Sequence, residues 1–169
     1  INYIAITDEM PEVTPAFLST NQNFTMGRFH SKTVIQDPVF GSMTMFDDET
    51  GCYGMVHFTP VNKEIEIYLD TNAWGPTEKQ RVLFKEIEQY YFQYTEKLPE
   101  LLEEVFHKEK PGFRIADFRK EFELSAVRIP KLETTPLCWE FDFETSHYSD
   151  GWVTVEYNNY EPLAVYFDQ

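Results

Sequence analysis

The sequence predicts one α+β domain, residues 1–169, with antiparallel β-meanders before and after a single long amphipathic helix packed on the sheet. Three observations predict it. Residues 40–70 and 138–167 alternate apolar and polar side chains in short runs cut by turn residues, the pattern of half-buried strands. Between them, apolar residues from Leu83 to Val105 recur at three- and four-residue steps, the period of a helix with one buried stripe. Apolar residues are 42% of the chain and aromatics 17%, with 15 Phe and 10 Tyr, so the core needs no metal or disulfide staple.

The first 36 residues read as an irregular leader with one weak strand, and 37–169 as the core. Pro11, Pro15 and the polar run Ser19–Asn23 break any period, and 26–35 is the weak strand. Phe40 to Phe46 is a strand, Asp47-Asp48-Glu49-Thr50-Gly51 a hairpin turn, and Tyr53 to Thr59 the returning strand. Tyr53, Met55 and His57 lie on one face of that strand, with Gly54, Val56 and Phe58 on the other. Pro60-Val61-Asn62-Lys63 turns again. Glu64 to Asp70 then alternates, with Ile65, Ile67 and Leu69 inward.

Thr77 and Gln80 stand at capping-box spacing, and Glu78 complements the positive end of the helix dipole. Leu83, Ile87, Tyr90, Tyr94, Leu98, Leu101 or Leu102, and Val105 form one apolar stripe about six turns long. Pro99 interrupts it, and either kinks the helix or splits it, standing then in the first turn of the second piece. Pro111-Gly112 stops the run.

Phe122 to Ile129 is a strand candidate, and residues 113–122 can begin as a helical turn. Cys138 to Thr145 puts Trp139, Phe141 and Phe143 on one face and Glu140, Asp142 and Glu144 on the other. Asp150-Gly151 marks a hairpin leading into Trp152 to Tyr157, and Asn158-Asn159 turns into Leu163 to Phe167. Trp139 and Trp152 both read as inward-facing.

The net charge is −15, from 29 acidic and 14 basic residues, which disfavours nucleic acid and anionic membranes and favours a basic partner or metal cations. The same charge also serves solubility. No apolar run approaches the length of a membrane span. Cys52 and Cys138 read as reduced core thiols of a cytoplasmic protein. The chain begins at Ile1, so a removed signal peptide, and with it an extracytoplasmic ligand-binding module, stays open as an alternative.

Among seven glycines there is no phosphate loop and no serine elbow, and neither Cys-x-x-Cys nor His-Glu-x-x-His occurs. No catalytic residue, cofactor or metal site is therefore assigned. His30, His57, His107 and His147 lack metal-ligand spacing, and Asp47-Asp48-Glu49 lacks the alternation of a calcium loop. His57 or His147 converging on the acidic strand would leave a carboxylate- or metal-dependent hydrolase as an alternative. Glu140, Asp142 and Glu144 stand about 7 Å apart along one strand face. They are candidate partner-binding residues, with Asp150 of the closing turn and Trp74. Trp74, on the polar loop 70–76, is either a lid over the core or an exposed anchor.

Asp37-Pro38-Val39-Phe40-Gly41, the first meander, Gly75-Pro76-Thr77-Glu78-Lys79-Gln80 at the helix start, Trp139-Glu140 and Ser149-Asp150-Gly151 follow one another in a specific order. Over 37–169 this order resembles bacterial domains of unknown function that recur among polymorphic-toxin immunity proteins. Those families often carry a histidine where Asp150 stands. The resemblance implies a small acidic cytoplasmic protein that binds another protein, such as a basic toxin domain, without catalysis of its own.

Overall fold

The structure, a computed structural model, describes residues 33–108, 110–132, 137–147 and 151–167, and the backbone of 2–5. Its strands are β1 (Asn2–Ala5), β2 (Val34–Asp37), β3 (Gly41–Met45), β4 (Gly51–Phe58), β5 (Lys63–Asp70), β6 (Phe122–Ile129), β7 (Cys138–Thr145), β8 (Trp152–Asn158) and β9 (Glu161–Phe167). All nine belong to one sheet of order β1-β9-β8-β7-β6-β5-β4-β3-β2. The helices are α1 (Glu78–Tyr94), α2 (Leu98–His107) and the single turn α3 (Phe118–Glu121).

This corrects the expected fold of two antiparallel meanders around one long helix. The sheet dominates, it is continuous, and the helices are short. The break between α1 and α2 has a local cause. Pro99 lacks an N–H and its ring obstructs the preceding turn, so it is tolerated only at a helix start. It stands there, in the first turn of α2. Thr95 closes α1 by turning its hydroxyl back onto the Tyr91 carbonyl at 3.0 Å.

The two halves are joined by β6, which runs parallel to β5 and antiparallel to β7. A parallel neighbour requires a long crossover, and the helical stretch between β5 and β6 supplies it. The strand carries a bulge at Ser125, where Leu124 faces Phe143 and Ala126 faces Asp142. One extra residue reverses the alternation. Phe122 and Leu124 point into the core before the bulge, and Val127 and Ile129 after it. At the sheet's far edge β1 pairs with β9, so residues 2–5 are a strand and not part of an irregular leader. The weak strand expected at 26–35 begins only at Val34 within the described residues.

The sheet has two unlike faces. One is covered by α1 and α2: Phe84 meets the ring of Phe58 and Tyr91 that of Phe141, while Tyr94 meets Trp139 and Phe106 meets Phe122 and Phe167. Those partners come from strands of both halves. Among the described residues no helix covers the other face.

Gln80 locks the helical layer to the sheet. Its Oε1 accepts the Thr77 N–H at 2.9 Å, completing the expected capping box, while its Nε2 donates to the carbonyls of Asp70 (2.8 Å) and Pro130 (3.1 Å). One buried amide thus ties the start of α1 to the ends of the two parallel strands. Gln80→Ala is expected to lower stability by about 2–3 kcal/mol, because carbonyls and a cap lose their partners together. Gln80→Glu, which keeps the cap acceptor but not the donor, is expected to fare no better. Urea unfolding of both variants checks this, and a loss no larger than the roughly 1 kcal/mol of an ordinary cap would refute the clasp.

Candidate functional site

The helix-free face is set by strand alternation. On β4 and β5 the inward residues are Cys52, Val56 and Phe58, then Ile65, Ile67 and Leu69. Tyr53, Met55 and His57, with Glu64, Glu66, Tyr68 and Asp70, must then face the other way. The same rule puts Glu140, Asp142 and Glu144 of β7, and Trp152, Thr154 and Glu156 of β8, on that face.

Register aligns these side chains into rows across the sheet. One row runs Tyr53, Tyr68, Arg128, Glu140, Glu156, each residue the direct partner of the next. Its first part is aromatic: Phe46, Tyr53 and Tyr68 form two stacked pairs, 5.6 and 6.2 Å between ring centres. Arg128 follows, its guanidinium 4.6 Å above the Tyr68 ring. Beyond it the row is acidic. A neighbouring row holds Glu66, Ala126, Asp142, Thr154 and Tyr166. The Tyr68 hydroxyl donates to Glu66, and the Tyr166 hydroxyl to Glu156.

The three carboxylates of β7 have different surroundings. Asp142 is not part of a solvated row: only 4% of its side chain is exposed, and Arg128 Nε donates to it at 2.7 Å. Thr154 Oγ1 donates to its other oxygen at 2.6 Å. Glu140 keeps 23% exposure and has Arg128 Nε at 3.7 Å, beyond hydrogen-bond reach. Burial, then the charges of Asp142, Glu156 and Asp70 against that of Arg128, push its carboxyl up to about 7. Glu144 is exposed at the far end of β7, between Glu123 and Trp152.

The remaining candidates are scattered. Trp74 is 90% exposed and is therefore no lid; it sits on the turn after β5. Gly75 follows it at φ +82°, a left-handed backbone conformation that favours glycine. Trp139 is buried as expected, whereas Trp152 is 41% exposed and corrects the inward reading. Its neighbours Val153, Val155 and Tyr157 occupy the core, which leaves Trp152 the outer face. Asp150 lies outside the described residues.

The histidines do not converge on the acidic strand. His57 lies 3.7 Å from Glu64, and His147 Nε2 lies 2.7 Å from Glu121 at the far end of α3. Among the described residues no group of three or more His, Cys, Asp or Glu side chains is placed to hold a metal ion. Both thiols are free. Cys52 faces the helices and Cys138 the open face, three strands apart, a separation of about 14 Å that no disulfide spans. Cys138 is thus not the core thiol expected. It lies half-buried, and burial and the Glu156 carboxylate push its thiol up to about 11. Among the described residues no helix is long and apolar enough to cross a membrane.

Sequence reasoning missed Tyr53, Tyr68, Arg128 and Glu156 as members of this surface. Each was assigned to a strand, but only the pairing of β5 with β6 puts them beside Glu140. No family model matches the chain, and no curated protein or solved structure matches it.

Proposed function

We propose that this chain is a non-enzymatic protein-binding domain that takes a basic partner on the helix-free face of its sheet. The observation that carries the reading is the composition of that face. It presents Glu64, Glu66, Glu123, Glu140, Glu144 and Glu156, while Arg128 at its centre is already engaged by Asp142 and Lys63 at its rim by Glu123. Such a surface, on a chain of net charge −15, steers cationic partners toward it and weakens as salt rises. Aromatic rings beside the carboxylates suit arginine in particular, which stacks and forms ion pairs at once. Neutralisation of a basic toxin domain is the specific form of this reading suggested by the resemblance over 37–169.

Two charge-reversed proteins of equal net charge test it. One carries Glu64→Lys, Glu66→Lys and Glu144→Lys on the open face; the other carries Glu96→Lys, Glu100→Lys and Glu104→Lys on the helical side. With a deca-arginine peptide at low salt, the first is expected to lose at least about tenfold in affinity and the second less than about threefold. Equal losses in the two proteins would remove the open face from the account.

A further inference from the structure

Around Glu140 the face gathers more negative charge than it neutralises. Asp142 stands two residues along β7, Glu156 is the register partner on β8, and Asp70 on β5 adds a third carboxylate. Tyr68 on β5 and the Cys138 thiol on β7 complete the titratable neighbours, and Lys131 stands just past β6, acting on Asp70. The one guanidinium at the centre, Arg128, gives its Nε to Asp142 at 2.7 Å and stays 3.7 Å from Glu140. Four carboxylates face the committed Arg128 and, at Asp70 alone, Lys131; the excess negative charge around Glu140 is relieved either by a proton or by a further cation.

We propose that docking on this face is proton-linked: Glu140 holds a proton while the face is empty and gives it up to solvent when a cationic side chain is seated beside it. The proposal rests on the binding reading above and adds its regulation. The rise of the Glu140 carboxyl to about 7 places the exchange in the neutral range. A guanidinium or ammonium arriving beside the partly exposed Glu140 carboxylate would favour the ionised form, so affinity and deprotonation strengthen each other. His57, on the same face, lies 3.7 Å from Glu64.

The experiment titrates the full chain with deca-arginine peptide at pH 6 and pH 8, for the wild type and for Glu140→Gln. A carboxyl of pKa about 7 that stays ionised in the complex makes the wild type roughly tenfold tighter at pH 8 than at pH 6. Glu140→Gln is expected to lose that gain. Calorimetry at pH 7 in two buffers of different ionisation enthalpy reads the released proton directly. Carbon-13 titration of the Glu140 carboxyl in the free protein checks the starting state without any ligand or variant. Binding with equal heats in both buffers, an unchanged slope in Glu140→Gln, or an ordinary carboxyl midpoint in the free protein each overturns the proton linkage and leaves the docking face standing. Absence of binding at either pH overturns both.

Discussion

Replacement of Trp139 by alanine is expected to destabilise the protein by about 3–5 kcal/mol, the largest single-residue effect foreseen in this chain. Trp139 is 1% exposed and lies at the centre of the helix-covered face. Its ring stacks on Tyr157 at 4.3 Å and 6°, and meets Phe141 at 4.8 Å and Tyr94 at 5.3 Å edge-on. Its Nε1 donates to the Asn159 carbonyl at 2.8 Å, which pins the β8–β9 turn. The site is poorly able to collapse around the void, because the Tyr157 hydroxyl is itself held by the Tyr94 carbonyl at 2.9 Å. A domain of this size has roughly 5–15 kcal/mol in total, so the variant approaches the limit of folding at ambient temperature. Trp139→Phe keeps an aromatic ring and loses mainly the indole N–H, with an expected cost of about 1–2 kcal/mol. Urea unfolding compares the two. A loss under about 1 kcal/mol in the alanine variant would show that the aromatic cluster repacks freely and that Trp139 is not its anchor.

Local elements were largely legible in the sequence because their causes are local. The alternation of Ile65, Ile67 and Leu69 on β5, and of Trp139, Phe141 and Phe143 on β7, reports burial residue by residue. The Thr77–Gln80 capping box is a short-range exchange of hydrogen bonds and occurs as read. What the sequence did not disclose is how separated elements meet. Nothing in Glu64–Asp70 or Phe122–Ile129 says that the two strands lie side by side in parallel, although that pairing makes one sheet of two halves. Pro99 marked the helical stretch as kinked or split, and the structure splits it; which of the two was not legible, because the apolar step from Tyr94 to Leu98 keeps the helical period across the turn.

The candidate site shows the same division. Glu140, Asp142 and Glu144 were legible as three carboxylates on one strand face. Their different surroundings were not, because Arg128 reaches Asp142 from a neighbouring strand whose alternation is reversed by the Ser125 bulge. Trp152 was misplaced for want of register. A tryptophan in a strand is more often buried than exposed, and only the inward Val153 and Val155 beside it turn it out. His147 was legible as a candidate but its partner was not: Glu121 belongs to a four-residue helix whose existence the sequence suggested only as a turn.

Arg128 separates the stability of the face from its affinity. Arg128→Met keeps much of the side-chain volume but removes the guanidinium from above Tyr68 and from Asp142. Asp142 then remains buried, with Thr154 Oγ1 its one remaining side-chain donor among the described contacts and Glu140 close by on the same strand. An uncompensated carboxylate in that setting is expected to cost about 2–4 kcal/mol at neutral pH. Adding Asp142→Asn removes the stranded charge while preserving an acceptor for Thr154. The double variant is therefore expected to recover at least about 1.5 kcal/mol of the loss, a coupling that chemical unfolding of the two single variants and the double resolves. Arg128→Lys, which keeps the charge without the planar fork or the stacking, falls between. Binding is expected to respond in the opposite sense. Without Arg128 the face is more negative, so deca-arginine binds Arg128→Met more tightly than the wild type even as the fold weakens. A purely structural guanidinium would leave the affinity unchanged, and one that contacts the partner directly would lower it. The sign of that single change decides whether the acidic row, with Arg128 as its internal counter-ion, is the surface that meets a basic partner.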